Sequence, residues 1–245
     1  MENFLKEYKK KIQNNFKDLI FEESSHSYYL NKNKIKYSVS GLIKQFVENF
    51  DSKGLSQGVA RKRGISSEQV LAEWKQIADE ACSLGTSVHL FGENYTFNRE
   101  LKPSNGYEEA IVKFFKSLPN HIIPVITELQ MYHKTFLFAG TCDTLLYNTK
   151  TNKFILTDYK TNKDLFKNFN FKKMIGVFSD LLDTPYNKYQ LQLSYYQILF
   201  EQTGFEIEKR RIIWLRPDST YTMYDTDDYT EKLNILLNNG TKTNN

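Results

Sequence analysis

Apolar residues first recur at helical spacing. Phe4, Leu5, Tyr8, Ile12 and Phe16 fall on one stripe with lysines between them, which predicts a short basic amphipathic helix over residues 2–18. HSYYLNKNKIKYSVS (26–40) sets two β-prone runs around Asn31–Lys34 and predicts a hairpin. SGLIKQFVENF predicts a helix, followed by a Gly- and Lys/Arg-containing connection over 51–64. SSEQVLAEWKQIADEACSLG opens with Ser66 and Gln69 at capping-box spacing, which marks a helix start. Val70, Trp74, Ile77, Ala78, Ala81 and Leu84 keep the helical period, and Gly85 predicts a break. A second helix, TSVHLFGENY, follows at once, and a third, YEEAIVKFFKSL at 107–118, stops at Pro119.

From residue 122 the period changes. IIPVITELQMYH, FLFAGTCDTLLYN and KFILTDYKT predict three successive strands, and residues 162–184 show a mixed pattern. TPYNKYQLQLSYYQILFEQTG predicts a helix with Pro185 in its first turn and Gly204 past its end. Strands near 207–216 and 220–225, a helix near 228–238 and a loose polar tail at 239–245 complete the chain. With no internal repeat and no dividing linker, the pattern predicts a single α/β domain over residues 1–245. Its central mixed sheet is flanked by helices, with an N-terminal helical elaboration.

Composition narrows the picture a little. An apolar fraction of 40% and an aromatic fraction of 15% in 245 residues support a substantial core and argue against disorder. The net charge of +4 is compatible with a polyanionic partner without demanding one. Cys82 and Cys142 are the only cysteines, which excludes a disulfide framework, a zinc knuckle and a four-cysteine iron–sulfur site within the chain. No apolar run approaches the roughly 20 residues of a membrane span. The N-terminus has no signal-peptide core, so a soluble protein of a reducing compartment, the cytoplasm, is expected.

The chemistry concentrates in FILTDYKTNK (154–163), where an apolar strand runs into Asp158, Tyr159 and Lys160. Side chains two apart on a strand share a face, so Asp158 and Lys160 project together. A four-residue loop at Thr149–Asn152 pairs Asn148 with Lys153 and, counting outward, sets Asp143 opposite Asp158. Like charges directly opposed are destabilising, so the pair needs a reason such as a divalent cation. Lys160 would then orient or deprotonate an attacking water, or stabilise developing charge on phosphorus. The plain alternative is a solvated ion pair at a sheet edge: the chain holds five acid-x-Lys tripeptides, of which only this one follows an apolar strand and faces a second acid.

Two helical pieces add to this. His89 and Glu93 are spaced i, i+4 and share a face, and Lys188, Gln192 and Tyr196 form a polar stripe. Glu128 sits on a strand between apolar neighbours. Each also has an ordinary structural role available: a satisfied helix histidine, a solvated acid, a core tyrosine.

The ordered set Gly85…His89, Glu128, Gly140-Thr-Cys-Asp143, Asp158-Tyr159-Lys160 and Gln192-Leu-Ser-Tyr-Tyr196 resembles the PD-(D/E)xK nuclease superfamily. More narrowly, it is similar to the RecB-like exonuclease branch of recombination nucleases, phage exonucleases and mitochondrial genome-maintenance exonucleases. The resemblance spans roughly residues 26–204. It implies a restriction-endonuclease-like core and Mg²⁺-dependent hydrolysis of DNA. Asp143, Asp158, the backbone carbonyl of Tyr159 and His89 would serve as metal ligands, with Lys160 handling the water. Gln192 would brace the site, and Tyr196 would pack beside it or contact DNA. Glu128 would support it through water or another side chain. An imidazole beside carboxylates also suits Mn²⁺. No iron–sulfur cluster is implied, because no cysteine follows Cys142.

Nonspecific nucleases need cations for phosphates and flat side chains for unpaired bases. ARKRG (60–64) offers Arg61 and Arg63, and KTNKDLFKNFNFKKM (160–174) interleaves Lys163, Lys167, Lys172 and Lys173 with phenylalanines. Both segments also read as solvated basic stretches. The function expected is exonucleolytic cleavage of single- or double-stranded DNA ends in phage or viral recombination, repair or replication, in the host cytoplasm, with a recombination or replication protein as partner. The alternatives are a structure-specific or restriction-like endonuclease and an inactive DNA-binding scaffold on the same fold.

Overall fold

The computed structural model describes residues 2–242. The chain forms a mixed α/β fold whose central mixed sheet is covered by helices on both faces. Helix α1 (Glu2–Asn15) packs Ile12 and, just beyond its end, Phe16 into the core, with Phe4, Leu5 and Tyr8 against them. Strands β1 (Leu19–Glu22), β2 (Ser27–Leu30) and β3 (Asn33–Lys34) form a small antiparallel sheet. The expected hairpin is present, but Asn31 and Lys32 alone make its turn, both with positive φ (50° and 67°). Strand β1 was not expected, and β4 (Tyr37–Ser38) leaves the hairpin to pair in parallel with the main sheet.

Two helical expectations need correction. Helix α2 (Val39–Lys44) is shorter than 40–50, because the amides of Gln45, Phe46 and Val47 turn back on carbonyls three residues earlier. The expected connection at 51–64 is helix α3 (Ser52–Arg63): the Asp51 side chain accepts from Gly54 N at 2.9 Å, and left-handed Gly64 ends it.

Helix α4 (Ser67–Phe97) starts at the expected capping box but does not break at Gly85. A glycine inside a helix costs about 1 kcal/mol relative to alanine. Its neighbours on both sides keep the ladder going. Only Val70 is buried in the first half of α4; Ile77 is 63% exposed, and Ala78 and Ala81 are exposed too. The predicted apolar stripe is therefore open to solvent along much of an arm formed by α3 and α4 packed together.

After α5 (Gly106–Ser117) the sheet begins. Strands β5 (Ile122–Tyr132) and β6 (Phe138–Asn148) pair antiparallel along their whole length, and β7 (Lys153–Lys160) lies on the other side of β6. Helix α6 (Pro185–Glu201) crosses one face and is buried along most of its C-terminal two thirds. Strand β8 (Ile207–Leu215) is parallel to β7, and β9 (Tyr221–Asp225) forms the edge. Helix α7 (Thr230–Lys242) runs past the expected 228–238, so residues 239–242 of the expected loose tail are helical and 243–245 lie outside the described residues.

Alternation divides the sheet's side chains between two cores. Phe154 and Leu156 of β7 face α1, α6 and α7, whereas Ile155 and Tyr159 face α4 and α5. Strand β7 is thus buried on both faces, as a central strand should be. Among the described residues no helix is long and apolar enough to cross a membrane.

Candidate metal and catalytic site

The β6–β7 hairpin pairs Asn148 with Lys153, as the loop count predicts, and the ladder runs inward to Thr144 opposite Thr157. There it ends. The next rung would oppose Asp143 and Asp158, and beyond it β6 takes up β4 instead. On the other side of β6, Thr127 faces Thr144 and Leu129 faces Cys142, which puts Glu128 at the rung of Asp143. Three adjacent strands therefore bring three acids, Glu128, Asp143 and Asp158, to one level of the sheet.

The end of the ladder frees backbone groups that the site uses. Tyr159 N donates to Asp143 Oδ2 at 2.6 Å, and Tyr159 O accepts from His89 Nε2 at 3.1 Å. His89 Nδ1 lies 3.3 Å from Asp143 Oδ1. Both ring nitrogens face acceptors, so the ring carries both protons. Burial alone would lower its pKa, but the carboxylate of Asp143 outweighs that and raises it to about 9. Burial also opposes ionisation of Asp143, yet His89, Lys160 and the Tyr159 amide hold it below the usual range.

Glu128 carries the opposite balance. Burial first, then Asp143, push its pKa to about 8, so at neutral pH it is protonated. Its backbone is left-handed (φ 48°) in the middle of a strand, a position glutamate rarely takes. Asp158, 2% exposed, is raised to about 6 by burial and by Asp143, against the pull of Lys160. It is ionised at pH 7. Its Oδ2 contacts the Lys160 ammonium and has no other donor among the described residues. Burial would lower the Lys160 pKa, but Asp158 leads the groups that raise it, so the ammonium stays protonated.

His89, Glu128 and Asp143 each offer one ligand atom, and these atoms lie within 4.8 Å of one another. One imidazole and two carboxylates suit a hard divalent cation, with Mn²⁺ favoured over Mg²⁺ by the nitrogen. The Tyr159 carbonyl adjoins the same imidazole. Asp158, read from the sequence as a ligand, is outside this tightest group and is engaged by Lys160. Glu128, read only as a support, is inside it. Glu93 contributes to the raised pKa of Glu128.

Lys160 is fixed from two sides, because its ammonium also lies 4.3 Å from the centre of the Tyr189 ring. The Tyr189 hydroxyl donates to Asn162 Oδ1 at 2.8 Å, and Asn162 O accepts from Trp214 Nε1 at 2.7 Å. The sequence pattern of α6 does not single out Tyr189. Its spacing of three from Gln192 on α6 was the available signal, since i and i+3 share a face.

Gln192 Nε2 donates to Tyr196 OH at 2.9 Å, and Gln192 Oε1 is buried with no partner among the described residues. Gln192 and Tyr189 line a cleft of about 380 Å³ between α2 and α6, with Ser40, Lys44 and Asn162. Tyr196 is 4% exposed and packs in the core beside the acids, so its ring is not open to a nucleobase. Of the two roles expected for Tyr196, only the packing role is compatible with that burial. Its ring also explains Gly140, where a Cβ would come within 2.6 Å of Tyr196 Cε1 and 3.0 Å of Val39 Cγ2. Gly140→Ala is expected to destabilise the fold by about 1–3 kcal/mol, lowering the melting temperature by roughly 2–10 °C. A calorimetric scan of the variant checks this.

The basic residues divide. Lys163 and Lys167 line an open cleft beside the N-terminus of α6, whereas Lys172 lies 3.3 Å from Glu48 and Lys173 is exposed. Arg61 and Arg63 are on α3 in the arm. Arg63 is held by Glu73 at 2.6 and 3.1 Å, and neither arginine is among the residues that meet the acid cluster. Comparison of the chain with protein-family models and with curated proteins finds no match.

Proposed function

We propose that the protein is a divalent-metal-dependent deoxyribonuclease of the PD-(D/E)xK type, RecB-like in its branch, acting on DNA ends. The observation that carries this reading is the level of three acids on adjacent strands, with His89 and Lys160 closing on it from a helix and from the same strand. A lone ion pair at a sheet edge needs neither three converging carboxyl groups nor a lysine clamped at 12% side-chain exposure.

His89, Glu128 and Asp143 would hold the ion, with the Tyr159 carbonyl and Asp158 at its margin. A divalent cation there supplies Lewis-acid charge stabilisation and a water of lowered pKa. Asp158 and the Tyr189 ring orient the Lys160 ammonium. As a protonated group, Lys160 donates a hydrogen bond to the attacking water or the phosphate oxygen and stabilises charge that grows during attack. Gln192 and Tyr196 brace the floor. The choice of exonuclease, and of phage or viral recombination, repair or replication as its setting, follows from the sequence resemblance.

The test is digestion of end-labelled linear single- and double-stranded DNA beside a covalently closed circle, with Mg²⁺, Mn²⁺ or EDTA. Metal-dependent loss of the linear substrates alone is expected. Cutting of the circle would replace the exonuclease with an endonuclease. Binding without any cleavage would leave a DNA-binding module.

A further inference from the structure

Between β7 and α6, residues 161–184 contain one short helical turn, Gly176–Phe178, yet the segment is firmly tied. Met174 N donates to Leu181 O at 2.9 Å and Asp183 N to Lys172 O at 2.8 Å. Asn168 Nδ2 donates to the carbonyls of Lys172 and Asp183 at 2.8 and 3.0 Å. Inside this brace, Phe169 to Lys172 form a tight turn closed by Lys172 N on Phe169 O at 3.1 Å. Its central residues, Asn170 and Phe171, are both left-handed, with φ of 55° and 54°. Asparagine tolerates that conformation; for phenylalanine it costs about 1–2 kcal/mol.

The turn does not bury what it strains. Phe169 is 69% and Phe171 87% exposed, although phenylalanine is among the residues most often inside. Phe169 lines an open cleft of about 800 Å³ together with Lys163, Lys167 and Lys188. Of the acids of this cleft, Asp183 pairs with Lys188 at 2.9 Å and Asp164 accepts from Phe166 N at 2.8 Å, and three lysines outnumber the two acids. Among the described residues, Lys163 and Lys167 have no ion-pair partner. The cleft shares Asn162, Pro185 and Lys188 with the smaller one beneath Gln192 and Tyr189, whose ring carries Lys160. The two clefts form one path from Phe169, with Phe171 on the same turn, to Tyr189, whose ring contacts Lys160.

We propose that this path is a guide for single-stranded DNA, with Phe169 and Phe171 stacking on bases and Lys163 and Lys167 holding phosphates. The proposal deepens the nuclease reading and rests on it for its direction toward Asp158 and Lys160. Lysines alone would serve a duplex equally well. Flat exposed rings serve a strand whose bases are unstacked, because in a duplex the base faces are already covered.

The test measures binding in EDTA, by fluorescence anisotropy, of a labelled oligothymidylate and of a blunt duplex of the same length. Wild type is expected to prefer the single strand. Phe169→Ala/Phe171→Ala should weaken single-strand binding by about tenfold or more, with duplex binding unmoved, since each stacked base contributes measurably. Phe169→Trp/Phe171→Trp should retain it. The side chains are exposed, and a melting curve for each variant separates lost contact from lost fold. Equal affinity for the duplex, or alanine variants that bind the single strand like wild type, would overturn the guide. Separately, hydrolysis of thymidine 5′-(p-nitrophenyl phosphate) with Mn²⁺ compares wild type with Lys160→Ala and needs no bound strand. Its absence from wild type would overturn the nuclease reading, while the anisotropy result still decides the guide.

Discussion

Lys160→Ala is expected to slow metal-dependent DNA hydrolysis by about 10²–10⁴-fold, the range for loss of a positioned proton-transfer or charge-stabilising group. The effect should fall on the chemical step, so single-turnover rates drop while DNA binding changes little. The reason lies in how the ammonium is held. Asp158 contacts it and the Tyr189 ring lies 4.3 Å from it, so the ammonium is held at two points. Lys160→Arg should recover little, because a planar fork does not fit a clamp built around a compact ammonium. Asp158→Asn tests the same unit from below: it removes the charge that orients Lys160 and should lose a comparable factor. Losses in a unit of this kind do not add, so the double variant should be no worse than the weaker single one by more than a small factor. A Lys160→Ala enzyme as fast as wild type would remove the lysine from the chemistry.

Without metal, thermal stability is expected to fall as pH rises from 6 to 9, and added Mn²⁺ should restore more of it at pH 9 than at pH 6. The sign follows from three raised pKa values. His89 rises from 6.5 to about 9, so its contribution is complete below 6.5 and disappears as pH passes about 9. Glu128 rises from 4.5 to about 8 and Asp158 from 3.8 to about 6, so both favour the folded state in their protonated forms and lose that contribution over those windows. Across pH 6–9 His89 and Glu128 hold more protons folded than unfolded, outweighing the opposite contribution of His133, whose pKa burial lowers, and stability declines with pH. A metal ion held as proposed would take the place of those protons. At neutral pH His89 and Glu128 would then give up about two protons between them. Calorimetry in buffers of different ionisation enthalpy counts them, and Glu128→Gln should release one fewer. A Mn²⁺-induced shift in melting temperature that is the same at both pH values would show that these groups are not the ligands.

The acid level was legible in the sequence because hairpin counting is discrete. Once Asn148 pairs with Lys153, every later rung is decided, and a shift of one residue would have turned Asp143 away. Helix starts with side-chain caps were legible for the same reason: Ser66 with Gln69, and Pro185 in the first turn of α6, mark single positions. What stayed hidden depends on context rather than local chemistry. Gly54 and Gly58 made α3 resemble a loop, although Asp51 and Gly64 bracket it with ordinary caps. Gly85 suggested a break where one glycine only weakens a helix. The apolar periodicity of residues 70–84 is real, but periodicity cannot say whether another element arrives to cover it. The left-handed backbone of Glu128 leaves no trace in residue type, and neither does the place of this acid beside His89 and Asp143. Tyr189 beneath Lys160 joins residues 29 positions apart, beyond the reach of local patterns.

Because α4 is unbroken, its two ends behave as one lever with unequal arms. Val88, Gly92, Tyr95 and Thr96 are buried and fix the helix at one end, and His89 sits within that anchored stretch. The free end at Ser67 lies 22 residues from His89, about 33 Å at 1.5 Å per residue. A swing that carries the outer end by about 5 Å turns the rod by roughly 9°, and at one turn from the fulcrum it moves a side chain by less than about 1 Å. Such a helix is a reduction gear: an excursion of the arm would reach the imidazole as a displacement near the scale on which alignment of reacting groups is set. A glycine hinge at position 85 would have disconnected the two; a rigid rod leaves them coupled, with the ratio written in its length.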